Sequence, residues 1–346
     1  MLDPVAYPLR RAARSGGAGP RSGLRVTLHG TGAGLGRGEA LALPAAGTET
    51  PDEVERALRA IAPRCVGEWP TLRDWLDWLA GELALAPAAR SALDAAGFEL
   101  AARETGVPVA ERLAPGSRRR VRVNALLGAS DLAETAREAK AAIARGYDVL
   151  KVKVGGCAVS EDEARLEAIR EIAGSRVGLR IDANGAWSCE EAEERLRRWS
   201  RFGLELVEQP VASRDLEGLA RLARESPVPV AADEALASVE GREALVRGEL
   251  APLAVLKPGV LGGLAPALEL ARCAARRGVA CLVTTTLDGP LGTAAALHLA
   301  AATGERSRAH GLAAADWVEV PFGASLRPRC GGLEVVGRPG FGEVAS

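Results

Sequence analysis

From residue 121 onward the chain repeats one unit, and this repeat constrains the fold more than any other feature. Short apolar runs recur at 121–128, 149–155, 177–183, 204–208, 228–232, 253–257, 279–285 and, weakly, 309–313. Between them lie segments of helical periodicity, such as Glu161-Asp162-Glu163-Ala164-Arg165-Leu166-Glu167-Ala168-Ile169. Strands this apolar are buried on both faces, which is the condition of a parallel sheet covered by its crossover helices. Eight strand–helix units predict an α/β fold class and a (β/α)8-type, TIM-like barrel rather than an open sheet.

The second run, Val149-Leu150-Lys151-Val152-Lys153-Val154-Gly155, carries two lysines where a core strand should carry none. Side chains alternate along a strand, so Lys151 and Lys153 share one face while Leu150, Val152 and Val154 share the other. With the apolar set against a packed wall, both amines point into an interior, where an ammonium is costly unless paired or deprotonated. The chain has only four lysines, Lys140, Lys151, Lys153 and Lys257, among 44 Lys and Arg. Arginine does not give up its proton, whereas a desolvated lysine serves as a base.

Barrel active sites sit at the C-terminal ends of the strands. Those ends read Lys153, Asp182, Glu208, Asp233 and Lys257, separated by 29, 26, 25 and 24 residues. One ionisable residue therefore stands at the same height in five successive units. Three carboxylates on neighbouring strands would raise one another's pKa, and a divalent cation relieves that conflict. A hard oxygen set without His or Cys favours Mg2+, or Mn2+. A salt-bridged filler is the competing structural reading, with Arg180, two residues before Asp182, as one partner. The second and sixth runs lie opposite in a ring of eight, so Lys153 and Lys257 are expected to face each other across the α-carbon of a bound carboxylate. Cation, neighbouring amine and burial are all expected to lower the lysine pKa values.

Residues 1–115 read as a separate α+β unit. Leu24–His29 and Glu39–Leu43 alternate as strands, and Gly30–Gly36 joins them as a hairpin rather than opening a helix as a phosphate loop would. Helices are expected from about Thr50 and across Pro87 to Ala102, with Trp75, Trp78 and Leu79 in the core. A Gly-rich loop spans about 12–22. The barrel is assigned to 116–317, and the tail, 318–346, is expected to return to the N-terminal unit. Arg118–Arg120 with Arg122 reads as a solvated linker. His29 and His298 read as structural, and His310 as a candidate lining residue.

A net charge of −1 excludes an electrostatic case for nucleic acid or an anionic membrane as partner. Six scattered cysteines form no CxxC pair and suit a reducing compartment. With no apolar segment of signal-peptide or membrane-spanning kind in view, a cytoplasmic location is expected. The expected partner is a small-molecule carboxylate substrate, with a homo-oligomer left open.

Lys151-Val152-Lys153, Asp182-Ala183-Asn184-Gly185-Ala186-Trp187, Val207-Glu208-Gln209-Pro210, Asp233-Glu234 and Leu256-Lys257-Pro258 resemble the muconate-cycloisomerase subgroup of the enolase superfamily. The resemblance implies Asp182, Glu208 and Asp233 as Mg2+ ligands and Lys153 with Lys257 as the acid/base pair. It implies Lys151, Asn184 and Glu234 as supporting groups, and an N-terminal capping domain completed by the C-terminal tail. Within the subgroup, Gly38-Glu39-Ala40, Leu43-Pro44 and Glu49-Thr50 are similar to the capping pattern of o-succinylbenzoate synthases. Leu179-Arg180-Ile181-Asp182 and His310-Gly311-Leu312 fit the same group. Thr284-Thr285-Thr286 stands where those enzymes carry serines near the substrate, so Arg180, Thr285, Thr286 and Gly311 are candidate substrate contacts. Ala313-Ala314-Ala315-Asp316 lacks the Asp-x-Asp of dipeptide epimerases. The implied activity is Mg2+-dependent syn-dehydration of a cyclohexadiene carboxylate in menaquinone biosynthesis, a lyase reaction. N-acylamino-acid racemisation and dipeptide epimerisation are the alternatives within the superfamily.

Overall fold

The structure, a computed structural model, describes residues 1–9, 20–30, 34–67, 69 and 71–344. The loop expected at 12–22 falls largely outside them; residues 21 and 22 belong to a strand. At the N-terminus three strands, β1 (Leu2–Tyr7), β2 (Arg21–His29) and β3 (Leu35–Leu41), form an antiparallel sheet in that order. The hairpin reading of β2 and β3 holds, with His29 opposite Leu35. Strand β1 was not expected, because Pro4 and Asp3 break the usual pattern; it pairs along β2 from Leu2 opposite Val26 to Tyr7 opposite Arg21.

Three helices cover this sheet: Pro51–Ile61, Leu72–Glu82 and Pro87–Glu104. The first begins in a capping box, with Thr50 Oγ1 accepting from Glu53 N–H and Glu53 carboxylate accepting from Thr50 N–H at 2.8 Å. The third lies flush on β3. A Cβ at Gly36 would stand 2.0 Å from Ala96 O and one at Gly38 1.9 Å from Ala92 O, so only glycine lets the two backbones meet. Trp75 and Leu79 are buried as expected, while Trp78 is half-buried.

Residues 121–128 were read as one strand, and the segment forms two, β4 (Arg120–Arg122) and β5 (Ala125–Leu127). They are followed by β6 (Val149–Lys153), β7 (Gly178–Asp182), β8 (Leu204–Glu208), β9 (Val230–Ala232), β10 (Leu253–Leu256) and β11 (Ala280–Val283). Strands β5 to β11 make a seven-stranded parallel sheet in sequence order. The two edges are joined by the backbone of His310 and Gly311. Val123 bridges His310 on one side and Thr284 bridges Gly311 on the other, both parallel. An α/β sheet closed in this way is consistent with a (β/α)8-type barrel. Each of β5 to β11 is followed by a helix of at least nine residues. The eighth run is followed only by the 3-10 turn Ala314–Asp316, so the repeat loses its last helix.

The expected alternation along the strands is observed. Leu150 and Val152 pack outward into the large cluster shared with the helices. Leu206, Ala231, Leu253, Val255 and Leu282 form a separate inner cluster that fills the ring. Glu208, Asp233 and Lys257 each follow one of these inner residues by two positions, so they emerge from the same interior face just above an apolar floor.

The tail divides its contacts. Strand β12 (Gly332–Glu334) pairs antiparallel with β4, which draws residues 120–122 out of the parallel sheet and explains the split. Val318 bridges Leu9 and Gly340 bridges Pro108, so the tail also reaches residues of the N-terminal unit. Among the described residues no helix is long and apolar enough to cross a membrane.

Candidate active site

The register of the parallel sheet sets the site residues side by side. Lys153 is paired with Asp182 across β6 and β7, and Asp182 with Glu208 across β7 and β8. Asp233 and Lys257 follow the ends of β9 and β10. All three carboxylates are buried, with Asp182 only 1% exposed. They line one pocket together with Lys151, Lys153, Lys257, Asn184 and Glu234. Thr285, Thr286 and Gly311 line it as well, so eleven of the twelve predicted site residues are brought together.

The twelfth, Arg180, lies one layer deeper. Its Nε donates to Glu205 Oε2 at 2.9 Å and its Nη1 to Ala309 O at 2.7 Å. It does not pair with Asp182, because residues two apart on a strand point the same way but stand nearly 7 Å apart in height, by roughly 3.3 Å per residue. His310 is likewise fully buried beneath the pocket. Its Nδ1 accepts from Val283 N–H at 2.9 Å, and burial, Arg118 and Arg180 depress its pKa to about 3.

Within the pocket every lysine meets a carboxylate. Lys151 Nζ lies 2.9 Å from Asp182 Oδ2 and donates to Glu208 Oε1 at 2.5 Å. Lys153 Nζ donates to Asp182 Oδ2 at 3.1 Å and to Asn184 Oδ1 at 2.5 Å. Lys257 Nζ donates to Asp233 Oδ2 at 2.5 Å. Asn184 Nδ2 in turn donates to Glu234 Oε1 at 2.9 Å, linking the two flanks. Asn184 and Gln209 both hold positive φ, 46° and 39°, a costly conformation for residues other than glycine. Gln209 uses it to bury its amide, whose Oε1 accepts from the Asp233 and Ala235 N–H groups. That contact fixes where β9 ends and so where Asp233 points.

Burial alone would discharge Lys151 and Lys257, but the surrounding carboxylates outweigh it and hold both pKa values above the ordinary lysine range. Among the protein groups alone this runs opposite to the lowering expected with a cation bound. That expectation weighed a bound cation, burial and amine repulsion; the direct ion pairs dominate among the protein groups. Asp182 is held below the usual carboxylate range: burial opposes its charge, and Lys151 and Lys153 overcome the penalty. Asp233 is pushed well above that range by burial, against the pull of Lys257 and reinforced by Glu234, Glu208 and Asp182.

The oxygens of Asp182, Glu208 and Asp233 are turned to these ammonium groups. Among the described residues no three Asp, Glu, His or Cys side chains already converge in the geometry of a metal cage. The chemistry of the row nonetheless fits a hard divalent cation: three buried carboxylates, no imidazole or thiolate, and an Asp233 whose pKa is raised by burial first and by the neighbouring acids after it. Asp182, Glu208 and Asp233 are the residues that would hold Mg2+ at that row.

The sequence reading missed several lining groups. Leu43, Ala45 and Ala46 approach from the N-terminal unit, Asn124 and Leu126 from the barrel, and Arg21 from β2. Asp316, the only acid in the Ala313–Asp316 segment, is occupied elsewhere: Oδ1 accepts from Arg145 at 2.6 Å and Oδ2 from Tyr147 OH at 2.8 Å.

Known proteins share this architecture. Residues 134–345 match the family of enolase C-terminal domain-like proteins. Muconate cycloisomerase 1 of Rhodococcus opacus is 32% identical over 87% of this chain and 82% of its own. An o-succinylbenzoate synthase of Desulfotalea psychrophila is 29% identical over 79% of this chain and 80% of its own. The dipeptide epimerase of Enterococcus faecalis, solved in complex with Mg and the dipeptide L-Leu-L-Tyr, superposes with a TM-score of 0.91 at 27% identity, covering 99% of this chain and 98% of that one. The strand-end acids and lysines, the parallel sheet closed through Gly311 and these likenesses over most of the chain agree: the protein belongs to the enolase superfamily.

Proposed function

We propose that this protein is an Mg2+-dependent enzyme that removes the α-proton of a carboxylate substrate, and that its reaction is the dehydration carried out by o-succinylbenzoate synthases. The observation that supports this most directly is the pairing of Lys153 and Lys257, on strands four places apart in the ring, with Asp182, Glu208 and Asp233 on the arc between them. Asp182, Glu208 and Asp233 would hold Mg2+, which when bound neutralises the charge that develops on the substrate carboxylate as the proton leaves. Lys153 takes the α-proton at Nζ; Asn184 Oδ1, 2.5 Å away, orients the amine. Lys257 stands over the opposite face as an ammonium and stabilises the enediolate. Lys153, then protonated, delivers its proton to the departing hydroxyl on its own face, which makes the elimination syn. Lys151 stays between Asp182 and Glu208 as a fixed positive charge beside Lys153.

The substrate side of the reading rests on the eighth run. Asp316 is consumed by Arg145 and Tyr147, so nothing in Ala313–Asp316 offers a carboxylate to a substrate ammonium group. That favours a substrate without a free amine over a dipeptide. Racemisation of an N-acylated amino acid is the second reading, favoured by the same opposed lysines, each able to serve one face. A Mg2+-dependent assay of o-succinylbenzoate formation with wild type and Lys153→Ala separates them. Turnover that falls by about 10²–10⁴-fold in the variant supports the synthase. No turnover by folded wild type, with α-deuterium exchange into N-acylamino acids in D2O, would replace it by the racemase.

A further inference from the structure

Arg165 and Asp162, on the helix Val159–Ala173, are each 1% exposed and pair at 2.7 Å between Nη1 and Oδ1. A buried ion pair is by itself a weak source of stability, so the destination of its other hydrogen bonds is informative. They go to the end of β6. Arg165 Nη1 also donates to Lys153 O at 3.1 Å, and Asp162 Oδ2 accepts from Gly155 N–H at 2.6 Å. The rest of the fork crosses to the segment after β5: Nη2 donates to Ala129 O at 2.7 Å and Nε to Thr135 Oγ1 at 3.2 Å. The sheet itself creates the need. Strand β5 ends at Leu127, opposite Val152, and the Gly128 and Ala129 N–H groups that would continue the ladder donate to Glu138 Oε2. On the other side Val154 N–H donates to Asp182 O at 2.9 Å, and a trans peptide then turns the Lys153 carbonyl toward the β5 side. Arg165 supplies the donor that the ended strand does not, and its rigid fork reaches both segments at once.

We propose that Arg165, anchored by Asp162, is a positioning residue for Lys153: the pair clamps the backbone at Lys153 and Gly155 and so fixes the direction from which the amine meets the substrate. The inference rests on the enolising reading of the pocket for the role it gives Lys153. Lys257 is held differently. Its carbonyl accepts from the Val260 and Leu261 N–H groups of the turn that follows it, both at 3.0 Å. The two amines are thus fixed by unrelated means, and loss of the clamp should reach Lys153 and not Lys257.

The test is competitive labelling of the amines in the full-length, Mg2+-saturated protein with a trace of acetic anhydride. Mass spectrometry reads the label on Lys153 relative to Lys257, with the exposed Lys140 as reference for the reagent. In Arg165→Met the Lys153/Lys257 ratio is expected to rise about 3- to 10-fold, the worth of one hydrogen bond. Arg165→Lys, which keeps a charge for Asp162 but cannot reach both carbonyls, should fall between the two proteins. An unchanged ratio in folded Arg165→Met, or an equal rise at both lysines, overturns the proposal. If that variant does not fold, Arg165→Lys decides on the same terms. Failure of both to fold also overturns it, since Arg165 would then serve the whole fold rather than one amine. In turnover the clamp predicts a kcat lowered about 10- to 100-fold with KM near the wild-type value, and a loss carried by KM alone overturns it. Failure of the enolising reading is seen separately, as wild type that neither dehydrates nor exchanges α-deuterium while the labelling ratio still shifts in the variant.

Discussion

Asp182 and Asp233 are chemically identical, equally buried acids at the two ends of one row, and the protein treats them oppositely. Asp182 touches two ammonium groups and the N–H of Asn184, at 3.1 Å, and is held ionised. Asp233 touches one, and its neighbours Glu234 and Glu208 add negative charge, so it retains a proton far above the ordinary range. The Lys257–Asp233 pair as a whole grips its protons, since both partners are shifted upward. Burial therefore does not decide the state of an acid at a barrel mouth; the local balance of charges does. The Asp182 flank is internally compensated. The Asp233 flank is short of positive charge, which a divalent cation held there would supply.

The contrast is sharpest in stability without divalent cations. Asp182→Asn removes the shared partner of Lys151 and Lys153 and is expected to destabilise by about 3 kcal/mol, the low end for breaking a buried pair, since Glu208 and Asn184 remain. Asp233→Asn removes an acid that is already reluctant to ionise, and its cost in urea denaturation with EDTA should be less than half as large. Equal losses would remove the asymmetry. Next in size is the response to Mg2+. At a hundredfold excess over its Kd the ion should stabilise wild type by about 2.7 kcal/mol in a thermal-shift titration. Both Asn variants should lose most of this gain, although they differ in how far they are destabilised at the outset.

A further prediction concerns a buried acid outside the row. Asp94, on the helix Pro87–Glu104, accepts from Leu264 N–H at 2.6 Å and Ala265 N–H at 3.3 Å, at the start of the helix Leu264–Ala275. Burial pushes its pKa up to about 7, against the pull of those two N–H groups. With the folded value raised, its contribution is full below the unfolded value near 4 and is lost as pH rises to 7, at no more than about 1.4 kcal/mol per pH unit. The stability of Asp94→Asn relative to wild type should therefore improve between pH 4 and pH 7. A flat difference would show that Asp94 is ionised throughout, as Asp182 is.

The row was legible in the sequence because its residues break the rule of the strands they end. A lysine or an acid closing an apolar run stands out, the more so when four lysines serve the whole chain. Arg21 left no such trace: it lies in a stretch rich in arginine, the residue that fills forty of the 44 basic positions. The division of 120–127 into β4 and β5 was hidden for another reason. It depends on Gly332–Glu334, two hundred residues away, and pairing partners at that distance are not encoded in local pattern. Arg180 misled because two-residue periodicity gives direction but not depth. The ion pairs of Lys151 and Lys257 were hidden because a list of neighbouring groups does not say which of them touch.

The eighth position of the ring is filled by main chain alone. His310 and Gly311 hold both edges of the sheet through backbone hydrogen bonds, and a Cβ at Gly311 would stand 2.4 Å from Thr284 Oγ1. The residues just beyond it, Ala313 and Ala314, face the pocket with small apolar side chains and belong to no α-helix. Sequence drift is therefore cheapest where it most alters what the cavity admits. Substitutions at Ala313 and Ala314 would reshape the pocket while leaving the row of strand-end acids and lysines and the closure of the ring in place.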